Sequence, residues 1–168
     1  NEATYAVWQS LQNEAAEMQQ ELGAIPEVAG WYAYYQEPAF HELLINTSTY
    51  TRRNIFTDRM IADGITNNMQ TIVIDPIAFA SQLANPGNPN LLIDQSLEIL
   101  LRYPLSASAK EFIKRSILLS GQMQDYYWTG AWNAYVANPA DASAKATIQI
   151  RLQSLYKYIM NLPEYHLC

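Results

Sequence analysis

Three side chains within a short stretch, Glu37, His41 and Glu42, carry the groups that general acid–base catalysis uses. Imidazole titrates near neutrality, and a carboxylate beside it can orient it or hold its charge. Their spacing limits what they do. His41-Glu42 opens like a two-histidine zinc-protease helix, but position 45 is isoleucine, so the second ligand is missing. The remaining metal-binding types, His166 and Cys168, stand at the far C-terminus, and three scattered ligands predict neither a metal site nor a cofactor. Glycoside hydrolysis needs two carboxylates across one cleft, and Glu37 with Glu42 or Asp94 with Glu98 are near enough in sequence to ask. Such pairs are ordinary on helix surfaces. No phosphate loop, nucleophile elbow or calcium-loop spacing is present. Asn46-Thr47-Ser48 fits a glycosylation sequon and, better, a helix cap.

The aromatic residues are the second chemical feature. Twelve tyrosines and four tryptophans concentrate at Trp31, Tyr32, Tyr34 and Tyr35 and again over Tyr126–Tyr135. Helical spacing puts Trp128, Trp132 and Tyr135 on one face and turns Tyr126 and Tyr127 elsewhere. As ligand-binding candidates, Trp31, Tyr32, Tyr34, Tyr35, Trp128, Trp132 and Tyr135 would form a platform for a sugar ring or partner chain. The competing reading is a core layer, favoured because tyrosine buries its ring while keeping its hydroxyl wet.

These residues must be positioned by helices. Tyr5, Trp8, Leu11, Ala15, Met18 and Leu22 recur at steps of three and four, predicting a helix over Glu2–Leu22 that ends at Gly23. Residues 24–36 predict an ordered, aromatic-rich loop, and Pro38 opens a short helix carrying Phe40, Leu43 and Leu44. Asn46 or Thr47 caps a helix to about Asp63, with Ile55, Phe56 and Met60 on its buried side. The β-favouring run at Thr71–Ile74 lacks an obvious partner and predicts extended coil.

Asp75-Pro76 starts a helix to about Ala84, and Asn85–Asn90 breaks the chain before a helix over Asn90–Arg102, where Glu98 and Arg102 form an i,i+4 pair. Ser108 with Glu111 reads as a capping box for a helix burying Phe112, Ile113, Ile117 and Leu119. Asp125 caps the next helix. Asp141 caps the last, where Ile148, Leu152, Leu155, Ile159 and Leu162 form a heptad seam that Pro163 ends. The expected fold is all-α, an irregular bundle of about seven helices with short Pro/Gly/Asn-rich connections, over one domain spanning residues 1–168.

A net charge of −6 with scattered basic residues argues against nucleic acid. No apolar run reaches the roughly 18 residues that span a bilayer. One cysteine excludes an internal disulfide. The chain starts with Asn rather than Met, which reads as a processed or excised piece.

Four stretches resemble one family: GWYAYYQEPAFHELLINTST, NPGNPN with LLIDQSLEILL, DYYWTGAWNAYVANPAD and RLQSLYKYIMNLPEYHL. The family is the uncharacterised bacterial one catalogued as domain of unknown function 1800, and the likeness spans about Val28–Leu167. It implies a helix-rich protein, longer than this chain and commonly exported to the periplasm or cell surface, of which this is the C-terminal portion. The family's N-terminal His/Arg-rich signature has no counterpart here, and the resemblance carries over no catalytic residue. The expectation is a non-catalytic binding or assembly module whose partner is its own missing N-terminal region, another envelope protein or a glycan. The alternative is a hydrolase fragment in which Glu37, His41 and Glu42 converge on a cleft completed elsewhere.

Overall fold

The computed structural model describes residues 2–21, 23–24 and 45–166. The chain is all-α, an irregular bundle with one small hairpin among the described residues. Its contacts gather into two compact units, one running to Ile74 and one from Asp75 to His166, where the sequence suggests a single domain.

The first unit holds helix α1 (Glu2–Glu17), helix α2 (Thr47–Ala62) and strands β1 (Ile65–Asn67) and β2 (Gln70–Ile72). α1 stops five residues before the expected Leu22. Gln19 takes a left-handed φ of 60° and the Gln20 N–H reaches back to the Ala15 carbonyl at 2.8 Å. That closure is usually made with glycine. α1 is also rotated from expectation. Asn67 Nδ2 donates at 2.8 Å to both the Ala6 carbonyl and Ser10 Oγ, while Glu14 meets Arg52 and Arg59 at 3.5 Å each. Val7 is therefore the buried apolar residue, and Tyr5 and Trp8 remain 65% and 58% exposed.

α2 starts at Asn46 as expected, in a reciprocal box with Thr49. Asn46 Oδ1 accepts from the Ser48 and Thr49 N–H groups, and the Asn46 N–H donates to Thr49 Oγ1 at 2.9 Å. Its buried side is Thr49, Thr57, Met60 and Ile61; Ile55 points outward. In the run after α2, Thr71 and Ile72 are strand rather than coil, while Val73 and Ile74 lie beyond it. β1 and β2 pair antiparallel in the register Ile65 to Ile72 and Asn67 to Gln70. Asn68 and Met69, with φ of 48° and 63°, supply the two left-handed residues that a tight two-residue hairpin needs. Thr66 and Thr71 share a cross-strand hydrogen bond of 2.8 Å.

The second unit contains α3 (Pro76–Ser81), α4 (Pro89–Leu100), α5 (Ala107–Phe112) running into a π-helical segment (Ile113–Leu118), α6 (Tyr126–Ala137), α7 (Ala142–Met160) and α8 (Pro163–His166). α7 is its axis. Ile148, Leu152, Leu155 and Ile159 are wholly buried, as the heptad spacing predicts, against α3, α4, α6 and the π segment. Each such side chain contributes about 1.5–3 kcal/mol by leaving water. Asp75, Asn88 and Asp141 cap α3, α4 and α7 through their side chains, and proline occupies the first turn of α3 and α4.

Four local expectations change in this unit. Ser106 rather than Ser108 caps α5, accepting from the Ala109 N–H at 3.2 Å. Asp125 makes no side-chain cap. α4 ends at Leu100 with Leu101 extended, so Glu98 and Arg102 do not sit one helical turn apart. The π segment, whose Leu119 N–H bonds the Lys114 carbonyl five residues back, turns Phe112 outward (51% exposed) and brings Leu118 in.

Candidate functional site

The acid–base candidates Glu37, His41 and Glu42 and the aromatic candidates Trp31, Tyr32, Tyr34 and Tyr35 lie outside the described residues. The second aromatic cluster is placed. Trp128 is fully buried and Trp132 is 6% exposed, with ring centroids 5.7 Å apart and Tyr135 a further 6.0 Å from Trp132. The shared face read from the spacing exists. It is a core layer, because both indoles are sealed and cannot receive a ligand ring.

What seals them is the Asn85–Asn90 turn. Trp128 Nε1 donates to the Pro86 carbonyl at 2.7 Å, and Thr129 Oγ1 donates to the Gly87 carbonyl at 2.8 Å. A side chain on Gly87 would meet Trp132 at 3.2 Å. Tyr126 and Tyr127 remain outside, stacked at 4.3 Å, and Arg151 donates to the Tyr127 carbonyl.

The same turn starts a charged network. Asn90 Oδ1 accepts from Lys114 Nζ at 2.9 Å, and Asn90 Nδ2 donates to Asp125 at 3.1 Å. Lys114, 11% exposed, also reaches Glu111 at 2.9 Å and Asp125 at 3.4 Å, and Arg115 donates to Glu111. Burial pulls the Lys114 pKa down, but the Glu111 hydrogen bond and the charges of Asp125 and Glu111 outweigh it, leaving the ammonium above its usual value. Hydrogen bonds from Lys114 and Arg115 hold the Glu111 carboxyl below its usual range. Both groups are fixed in their ionised forms at neutral pH. A lysine held this way is neither nucleophile nor base.

One bridge stands apart from that network. Lys110 Nζ meets Asp94 Oδ1 at 2.7 Å across α4 and α5, with side chains 35% and 51% exposed. Hollows of about 190 Å³ and 320 Å³ flank it, the larger running under Glu98, Arg102 and Tyr103 over a floor of Leu97 and Leu101. Sequence reasoning paired Asp94 with Glu98. It missed Lys110 and Asn90, whose partners lie 16 to 35 positions away.

In the first unit, Arg52 pairs with Glu14 and Glu17, and burial pushes the Arg53 guanidinium pKa down. Among the described residues no three His, Cys, Asp or Glu side chains are grouped to hold a metal ion, and no helix is long and apolar enough to cross a membrane. The chain matches no protein-family model, no curated protein and no solved structure.

Proposed function

We propose that this chain is a non-catalytic binding or assembly module of an exported or cell-envelope bacterial protein, related to the family its four motifs resemble. Its partner is a polypeptide that docks on α1. The observation carrying this reading is the outward face of that helix. Tyr5 and Trp8 sit edge to face at 5.5 Å, and an open, mostly apolar hollow of about 390 Å³ continues from Trp8 past Leu11, Gln12 and Ala15. The neighbouring face is already committed through Val7, Ser10 and Glu14. Adjacent exposed aromatics on a continuous apolar stripe are the anchors that polypeptide interfaces use.

The test places a photo-crosslinking phenylalanine analogue at Trp8 and, as a control, at exposed Gln9, in producing cells. A discrete polypeptide adduct from position 8 alone is expected. Equal labelling from both positions, or no polypeptide adduct, overturns the reading.

A further inference from the structure

We propose that the larger hollow beside the Asp94–Lys110 bridge binds a neutral polyhydroxylated ligand, a single sugar unit of a mono- or oligosaccharide. The inference stands on the second unit alone and does not depend on the α1 partner. Four features carry it.

The first is the charge pattern. Asp94 and Lys110 cancel one another at 2.7 Å yet remain 51% and 35% exposed, so each keeps open hydrogen-bonding positions. An ion gains little from a neutralised pair. Two neighbouring hydroxyls fit it well, one donating to the carboxylate and the other accepting from the ammonium.

The second is an aromatic wall. Tyr103 is 65% exposed, and the Arg102 guanidinium lies 5.6 Å from its ring centroid. The rest of the ring is open to the C–H face of a sugar, an apolar surface that stacks on aromatic rings. The third is the floor. Leu97 and Leu101 are 4% and 6% exposed and held by the core, so the hollow is preformed and its base is apolar. About 320 Å³ falls at the lower end of the range for small-ligand sites, as a single sugar unit requires.

The fourth separates the two hollows. Beyond the bridge, Lys114 already has Asn90, Glu111 and Asp125 as partners, so that side adds no open ammonium to that of Lys110 and has no aromatic wall. Ligand therefore enters from the Tyr103 side, with Glu98, one turn from Asp94 on α4, as the second acceptor.

The test is isothermal titration of the whole chain with neutral monosaccharides, neutral disaccharides, a uronic acid, an amino sugar and inorganic phosphate. Saturating heat with at least one neutral sugar, and weaker or no heat with the charged ligands, is expected. Tyr103→Ala should weaken binding by about tenfold, the scale of one lost stacking contact, while Tyr103→Phe retains it. Asp94→Asn should weaken it similarly, and Trp8→Ser in the first unit should leave it unchanged. Melting curves for each variant confirm an intact fold. No heat with any neutral sugar, tighter binding of a charged ligand, or undiminished binding in a folded Tyr103→Ala chain each overturns the proposal.

Discussion

The indole of Trp128 and the carbonyl of Pro86 are joined by a hydrogen bond of 2.7 Å across 42 positions of sequence. The bond does two things at once. It satisfies the one polar atom of a fully buried tryptophan, and it pins the Asn85–Asn90 turn onto α6. A neutral hydrogen bond in this position is worth about 1 kcal/mol net, but removing only the donor strands a carbonyl at larger cost.

Trp128→Phe should therefore lower stability by about 2–3 kcal/mol, from the stranded Pro86 carbonyl and the unfilled indole volume. Thr129→Val, which removes only the bond to the Gly87 carbonyl, should cost about 1 kcal/mol. Urea denaturation of both variants checks the order. Equal losses would show that the turn is not held through the indole.

Two glycines with left-handed backbones should respond differently to alanine. Gly64 has φ +73° and a Cβ there would collide with the Ile72 carbonyl, whereas Gly121 has φ +85° with open space around it. Gly121→Ala should cost only the conformational penalty, about 1 kcal/mol. Gly64→Ala must also push β2 away from α2, breaking the Ile74 N–H to Met60 carbonyl bond, and should cost at least about 2 kcal/mol more. Hydrogen exchange at Ile74 is the direct readout: protection lost in Gly64→Ala and kept in Gly121→Ala.

Tyr156 gives a pH dependence with a definite sign. Burial pushes its phenol up to about 12, opposed only in part by the hydroxyl contact with Ser96. The unfolded phenol titrates near 10, so the folded chain holds its proton more tightly. The associated stability, about 2–3 kcal/mol, is fully present below pH ~10 and is lost as pH rises from about 10 to 12. In Tyr156→Phe that portion of the alkaline decline should vanish. Melting temperatures of both proteins between pH 9 and 12 test it, and parallel curves would refute it.

What the sequence made legible, and what it hid, follows from the range of the forces involved. Caps at Asn46, Asp75 and Asp141 act within three residues and can be read from residue type. The α7 seam is equally legible, since four residues at heptad spacing have one way to be buried together. The hairpin was hidden because its turn is Asn68-Met69, without the glycine that usually marks two left-handed positions. The rotation of α1 was hidden because apolar periodicity placed Tyr5 and Trp8 inward. Asn67, Arg52 and Arg59 instead bind the neighbouring face through Ala6, Ser10 and Glu14. At the candidate site, the Asp94–Glu98 spacing was readable within one helix, whereas Lys110 and the Asn90–Lys114–Asp125 network depend on how separate helices pack.

The π segment after Phe112 makes the chain length adjustable there. One residue of an α-helix is about 100° of rotation, and the i to i+5 bonding of Ile113–Leu118 absorbs an added residue without lengthening the core contact. Deleting exposed Ser116 would let the backbone return to ordinary α bonding while Leu118 and Leu119 keep their places against α7. The loss of a single codon is thus easier to accommodate here than in an ordinary α-helix, where it would rotate everything downstream by about 100°.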